Sequence, residues 1–172
     1  MALEGGDEGS QLCRSCGLCC DGSIFTHAPL VAGDDREVLE RAGAVLTAVK
    51  DGLRLGLPCG ALRGCECSVY EHRPDVCRGF RCALLRGVLK GKVTLVDAQH
   101  TTRRTAAMRD SLLHLLDDGQ GSGIRKLTER FVEVIEVAPD PVAMRMESAE
   151  TLLSIAEFRT VINRYFVNPS GS

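Results

Sequence analysis

Cys13-Arg14-Ser15-Cys16-Gly17-Leu18-Cys19-Cys20 is the stretch from which the rest of the chain is read. Cys13, Cys16 and Cys19 follow one another at three-residue steps. Two-residue gaps let successive thiolates converge on one centre, because the backbone between them makes a tight turn. Gly17 supports such a turn by accepting a positive φ. Three cysteines at this spacing also open the bacterial ferredoxin pattern, in which a fourth ligand comes from elsewhere. Cys19 and Cys20 are adjacent, so their side chains diverge, and one of them is expected to serve a different metal or a different iron.

Outward from this stretch, nine cysteines occupy positions 13, 16, 19, 20, 59, 65, 67, 77 and 82, and none follows. The number is odd, and the acidic, Gly-rich residues 1–10 carry no basic-then-apolar export pattern. A cytoplasmic location is therefore expected, where thiols stay reduced and a dense cysteine set signals metal rather than disulfides. No apolar run approaches the roughly 18 residues of a membrane span. The net charge of -2 makes a nucleic-acid partner unlikely, and a protein partner stays open.

The second cysteine group lies in Pro58-Cys59-Gly60-Ala61-Leu62, then Cys65-Glu66-Cys67-Ser68-Val69-Tyr70-Glu71-His72-Arg73-Pro74, then Cys77-Arg78-Gly79-Phe80-Arg81-Cys82. Were the run around Tyr70 extended, residues 65, 67 and 69 would share a side, and either Cys65 or Cys67 would reach a metal. With the N-terminal group, these motifs resemble the CxxCxxCC zinc- or iron-chelating domain family, the YkgJ-like cysteine-cluster proteins. The resemblance covers about residues 13–82. It implies eight metal ligands: Cys13, Cys16, Cys19, Cys20, Cys59, Cys67, Cys77 and Cys82. Cys65 has no counterpart in the family pattern, which favours Cys67 of the two. Related domains occur in flagellin lysine methylases, so the resemblance also keeps an enzymatic role open.

Eight thiolates suit two four-sulfur sites. A four-iron cluster takes four cysteines, and so does a structural zinc. The first expectation is an iron–sulfur centre (4Fe-4S) with a redox or sensing role. The alternatives are a zinc-stabilised structural or interaction module, and a metal-dependent enzyme. His27 and His72 are read as surface or supporting residues. Arg73 to Arg109 contains nine Arg and Lys residues against Asp75 and Asp97. Arg73 and Arg78 are expected to support the site, with the Arg78 N–H donating to sulfur. Arg103, Arg104 and Arg109 are read as a solvated helix face. Tyr70 and Phe80 are expected to cover the metal.

The fold class expected is mostly α, a small helical domain with a loop-rich cysteine region stapled by metal. Residues 1–10 and the last few after Asn168 are read as disordered. Residues 11–96 form the cysteine region with one inserted helix, capped by Asp34, running through Val38, Leu39, Ala42, Val45, Leu46 and Val49 to Gly52. Residues 97–168 form a helical region packing on it, the whole making one domain. Within the second half, a short helix ends near Gly91 and Lys92–Val96 is extended. Asp97 caps a longer helix with a stripe at Ala98, Thr101, Thr105, Met108, Leu112 and Leu115. Another helix follows from Ile124. A last one starts near Val142 or Ser148, with Leu152, Leu153, Ala156, Val161, Ile162, Tyr165 and Phe166 facing inward.

Overall fold

The computed structural model describes residues 5–116 and 119–167. It is mostly helical: α1 (Gly5–Arg14), α2 (Arg36–Arg41), α3 (Asp75–Gly79), α4 (Ala83–Leu89), α5 (Leu95–Leu116), α6 (Ile124–Glu136), α7 (Pro141–Glu147) and α8 (Ala149–Ile162), the last running into a π turn at Asn163–Val167. Strands β1 (His27–Leu30), β2 (Leu46–Val49) and β3 (Gly52–Gly56) form one antiparallel sheet in the order β1-β3-β2. A second pair, β4 (Leu62–Arg63) and β5 (Glu66–Cys67), is a short hairpin.

The inserted helix is shorter than its periodicity suggests. Asp35, not Asp34, caps α2 by accepting from the Val38 N–H. Asp34 accepts instead from the Val31 and Asp75 amides, both at 2.8 Å, and so ties this loop to α3. After α2 the chain turns at Ala42–Gly43, and Leu46-Thr47-Ala48-Val49 pairs as a strand with Gly52–Leu55. Helical and strand periods cannot be separated over so short an apolar run, and the β-branched residues favour the strand. Val45, expected inside, is exposed. The segment expected to be a tail carries α1 from Gly5 onward, and residues 1–4 and 168–172 lie outside the described residues.

The main core joins both halves of the chain. Leu12, Leu18 and Ile24 from the first half pack with Leu84, Leu85 and Val88 of α4, Ala98 and Leu112 of α5, and Ile155, Phe158, Ile162 and Phe166 at the C-terminal end. Ile155 and Phe158 replace Leu153 and Ala156 on the inward face of α8, and both of the latter are exposed. Helix α5 starts before Asp97, with no extended piece at 95–96. Thr94 caps it by accepting from the Asp97 N–H while its own hydroxyl donates to the Asp97 carboxylate at 2.6 Å. Its buried stripe is Ala98, Thr102, Thr105 and Leu112, whereas Leu115 is exposed. A smaller core of Leu39, Ala44 and Leu55 lies under the sheet. Among the described residues no helix is long and apolar enough to cross a membrane.

Candidate metal centre

All nine cysteines line one cavity of about 380 Å³, and all are free thiols. Four local devices bring them there. The first is the tail of α1 and the turn after it. The Cys16 N–H donates to the Cys13 carbonyl at 3.3 Å and the Cys20 N–H to the Gly17 carbonyl at 2.8 Å. Gly17 sits at φ +70°, as its place in the motif requires, and a Cβ there would lie 3.3 Å from the Cys65 Cα. The second device is the turn after Cys59, where the Leu62 N–H returns to the Cys59 carbonyl at 3.0 Å. The third is the β4–β5 hairpin, whose register sets Cys67 opposite Leu62 and leaves Cys65 exposed at the tip. The fourth is the α3–α4 junction. Pro74 opens α3 and fixes Cys77 in its first turn, and Cys82 caps α4, its Sγ accepting from the Leu85 N–H at 3.3 Å.

Packing divides the cysteines into two neighbourhoods. Cys16, Cys19 and Cys82 lie against the main core, helped by the contact of α1 with α4. Cys59 lies against the small core under the sheet. The electrostatics group the thiols in a similar way, except that Cys19 acts on Cys77 as well as on the first group. Burial first, and then the Cys19 and Cys82 sulfurs, push the Cys13 thiol up to about 11. Burial raises Cys16 as well, with Cys19, Cys82 and Cys13 adding to it. Cys77 is pushed up to about 12, by burial and then by Cys19, Cys59 and Cys67. Cys59 is raised by burial and by Cys67. Cys19 and Cys20 stand at the boundary, their sulfurs 3.7 Å apart. The hydrogen bond between them lowers Cys19 and raises Cys20, with burial adding to the rise at Cys20.

Backbone N–H groups already point at several sulfurs: Leu18 at Cys16, Ala61 and Leu62 at Cys59, and Leu84 and Leu85 at Cys82. Such donors stabilise thiolate, the form that binds metal. This donor chemistry fits a zinc ion or an iron–sulfur cluster held by four cysteines. Among the described residues no three or more His, Cys, Asp or Glu side chains are yet gathered to hold an ion. The sulfurs ring a cavity.

The supporting residues differ in part from their expected roles. Arg73 lies with its guanidinium 3.5 Å from the Tyr70 ring centroid, with Arg14 at 4.5 Å from the same ring. Arg73 favours the ionised form of Cys13, Cys19 and Cys77. Arg78 is the weaker support: it is exposed, it pairs with Asp75 at 3.8 Å, and its N–H donates to the Pro74 carbonyl at 3.0 Å rather than to a sulfur. Tyr70 and Phe80 both line the cavity, and Phe80 meets Phe25 edge-on at 5.0 Å. His27 is exposed on the lining, and His72 lies outside it. Arg109 is not on a solvated face. Its side chain is 19% exposed and pairs with Asp21, next to Cys20. Its spacing on α5 carried no signal of this, because the partner lies 88 residues away.

Fold and site together define a small, mostly helical protein built around a cysteine-lined cavity with metal-chelating chemistry. The chain belongs to the CxxCxxCC family, described as "Putative zinc- or iron-chelating domain", whose model matches residues 12–107. The match extends past Cys82 through α4 and into α5, so it takes in more of the helical body than the cysteine motifs do. No curated protein and no solved structure matches the chain.

Proposed function

We propose that the chain holds two four-sulfur metal centres, one on Cys13, Cys16, Cys19 and Cys82 and the other on Cys20, Cys59, Cys67 and Cys77. What supports this is that Cys13, Cys16, Cys19 and Cys82 act on one another, three of them against the main core, while Cys59, Cys67 and Cys77 form a second group with Cys59 against the small core, and Cys19, which also acts on Cys77, stands beside Cys20 where the groups meet. The favoured occupant is an iron–sulfur cluster. The Cys-x-x-Cys-x-x-Cys spacing supports it, and so do the N–H donors aimed at sulfur, which raise the potential of an anionic cluster. Bound there, such a group supplies one-electron redox chemistry. The protein's part is to bury the centre behind Phe25, Tyr70 and Phe80 and to set Arg73 beside its charge. A redox or sensing role follows.

Zinc is the second reading, favoured by one observation. The Cys59 turn and the two-residue strands of the Cys67 hairpin have almost no core of their own, the setting in which structural zinc replaces packing. Metal and sulfide analysis of protein purified without oxygen separates the two. Iron with stoichiometric sulfide supports the first reading; zinc without sulfide replaces it with the second. Protein that takes up neither metal contradicts both.

A further inference from the structure

We infer that the α5–α6 corner is a clamp that sets the position of the Cys19–Cys20 pair, with Arg109 as its positioning residue. This rests on the two-centre reading only for its consequence at the metal, since the clamp itself is a property of the chain. The loop from Leu18 to Ile24 carries both cysteines and closes on itself through the Ile24 N–H and the Leu18 carbonyl at 3.3 Å. Three contacts from the second half hold it. Arg109 of α5 bonds the Asp21 carboxylate through Nη1, and Asp21 is only 12% exposed. The other Asp21 oxygen accepts from the Ser23 N–H at 2.8 Å, so the carboxylate fixes the loop on one side and the arginine on the other. Arg125 of α6 donates from Nη1 to the Ile24 carbonyl at 2.6 Å and from its backbone N–H to the Gly22 carbonyl at 3.1 Å. Finally, Gly22 and Gly123 touch backbone to backbone. A Cβ on either would come within 2.8 Å of the other's Cα.

Arg109, Gly123 and Arg125 all lie beyond the matched residues 12–107. The helical region past the family segment is therefore not a passive buttress, because it reaches the one point where the two sulfur sets meet. A guanidinium is suited to this task. Arg109 spans two carboxylates, giving Nη1 to Asp21, and Nε and Nη2 to Asp110 at 2.9 and 2.7 Å. Moving the loop displaces Cys19 and Cys20 together and so alters both centres.

The test reads thiol exposure first and metal second. The reduced chain, freed of metal, is labelled with iodoacetamide, and each cysteine is followed by mass spectrometry. Arg109→Ala is expected to speed labelling of Cys19 and Cys20 by about fivefold or more, with Cys65 and Cys67 unchanged, as local opening does. Arg109→Lys, which keeps a cation for Asp21, is expected to recover much of the protection. Gly123→Ala, which pushes the loop without touching a charge, is expected to act like Arg109→Ala. Arg104→Ala, on the same helix as Arg109, removes an exposed pair with Glu157 of α8 and serves as control. Should Arg109→Ala fail to fold, Asp21→Asn removes the same ion pair at similar size. Uniform acceleration at every cysteine, or none at Cys19 and Cys20, overturns the clamp. The same variants are then loaded with metal. Selective labelling in a wild type that binds no metal keeps the clamp and refutes the two-centre reading.

Discussion

The Cys59 N–H donates to the Cys20 carbonyl at 2.8 Å. This bond joins the end of the N-terminal cysteine run to the Pro-Cys turn, across the whole of β1, α2 and the sheet. It ties together the backbones of two proposed ligands of one centre. The inserted sheet therefore works as a spacer, bringing Cys59 back to the loop it left at Cys20.

Metal removal is expected to loosen the cysteine half and spare much of the helical body. The turns at 57–82 contribute few buried side chains, and ordering them costs roughly 1–2 kcal/mol per residue in backbone entropy. Helix α5 packs against both α6 and α8. After chelation verified by metal analysis, limited proteolysis is expected to cut within residues 57–82, outside the loop held by α5 and α6, while most helical circular dichroism persists. Unchanged cleavage in that half would show that metal is not a folding element.

Cys65 and Cys67 are expected to part company. Cys67 faces the Cys59 turn, whereas Cys65 is exposed at the hairpin tip. Cys67→Ser leaves a four-sulfur site with an open position and is expected to lose one centre's metal or fail to give soluble protein. Cys65→Ser is expected to keep wild-type metal content. The reverse pattern would reassign the ligand.

Acid and alkali should act oppositely on the loaded and metal-free forms. The ordinary thiol value is 9.0, while folded Cys13 sits at about 11 and Cys77 at about 12. Between these values the unfolded state holds fewer protons than the folded one, so stability of the metal-free chain falls as pH rises. The stabilising contribution is whole below about pH 9 and is lost on the way to about 12. In the loaded chain protons compete with metal for sulfur, so retention weakens as pH falls. Urea midpoints across pH, with and without metal, check both slopes. A metal-free midpoint that climbs above pH 9 would contradict the sign.

Arg73→Ala is expected to weaken metal retention more than Arg78→Ala. Arg73 acts on three thiols and stacks on Tyr70, while Arg78 is spent on an exposed pair worth about 0–1 kcal/mol. Competition with a chromophoric chelator ranks the two variants. Equal retention would return Arg73 to a purely packing role.

The helices of the second half and the convergence of the cysteines were legible in the sequence because both rest on local spacing. Thiol-to-thiol steps of three and an apolar stripe on α5 need only neighbouring residues to be read. The sheet was not legible. Val38, Leu39, Ala42 and Val45 repeat at helical spacing, and only pairing with the distant β1 and β3 makes Leu46–Val49 a strand. The clamp was hidden for the same reason. Arg109 looks like any exposed helix cation until Asp21 is placed beside it. The proposed two-set division likewise draws on which core Cys16, Cys19, Cys82 and Cys59 pack against, and no spacing rule encodes that.

Thiol counting on the metal-loaded protein tests the central claim most directly. Protein purified without oxygen is alkylated in the folded state, and again after metal removal in denaturant, with each cysteine located by mass spectrometry. Cys65 alone is expected to be labelled in the first step, with Cys13, Cys16, Cys19, Cys20, Cys59, Cys67, Cys77 and Cys82 joining it in the second. Labelling of several of those eight in the metal-loaded, folded protein, at the rate seen after metal removal, would contradict it.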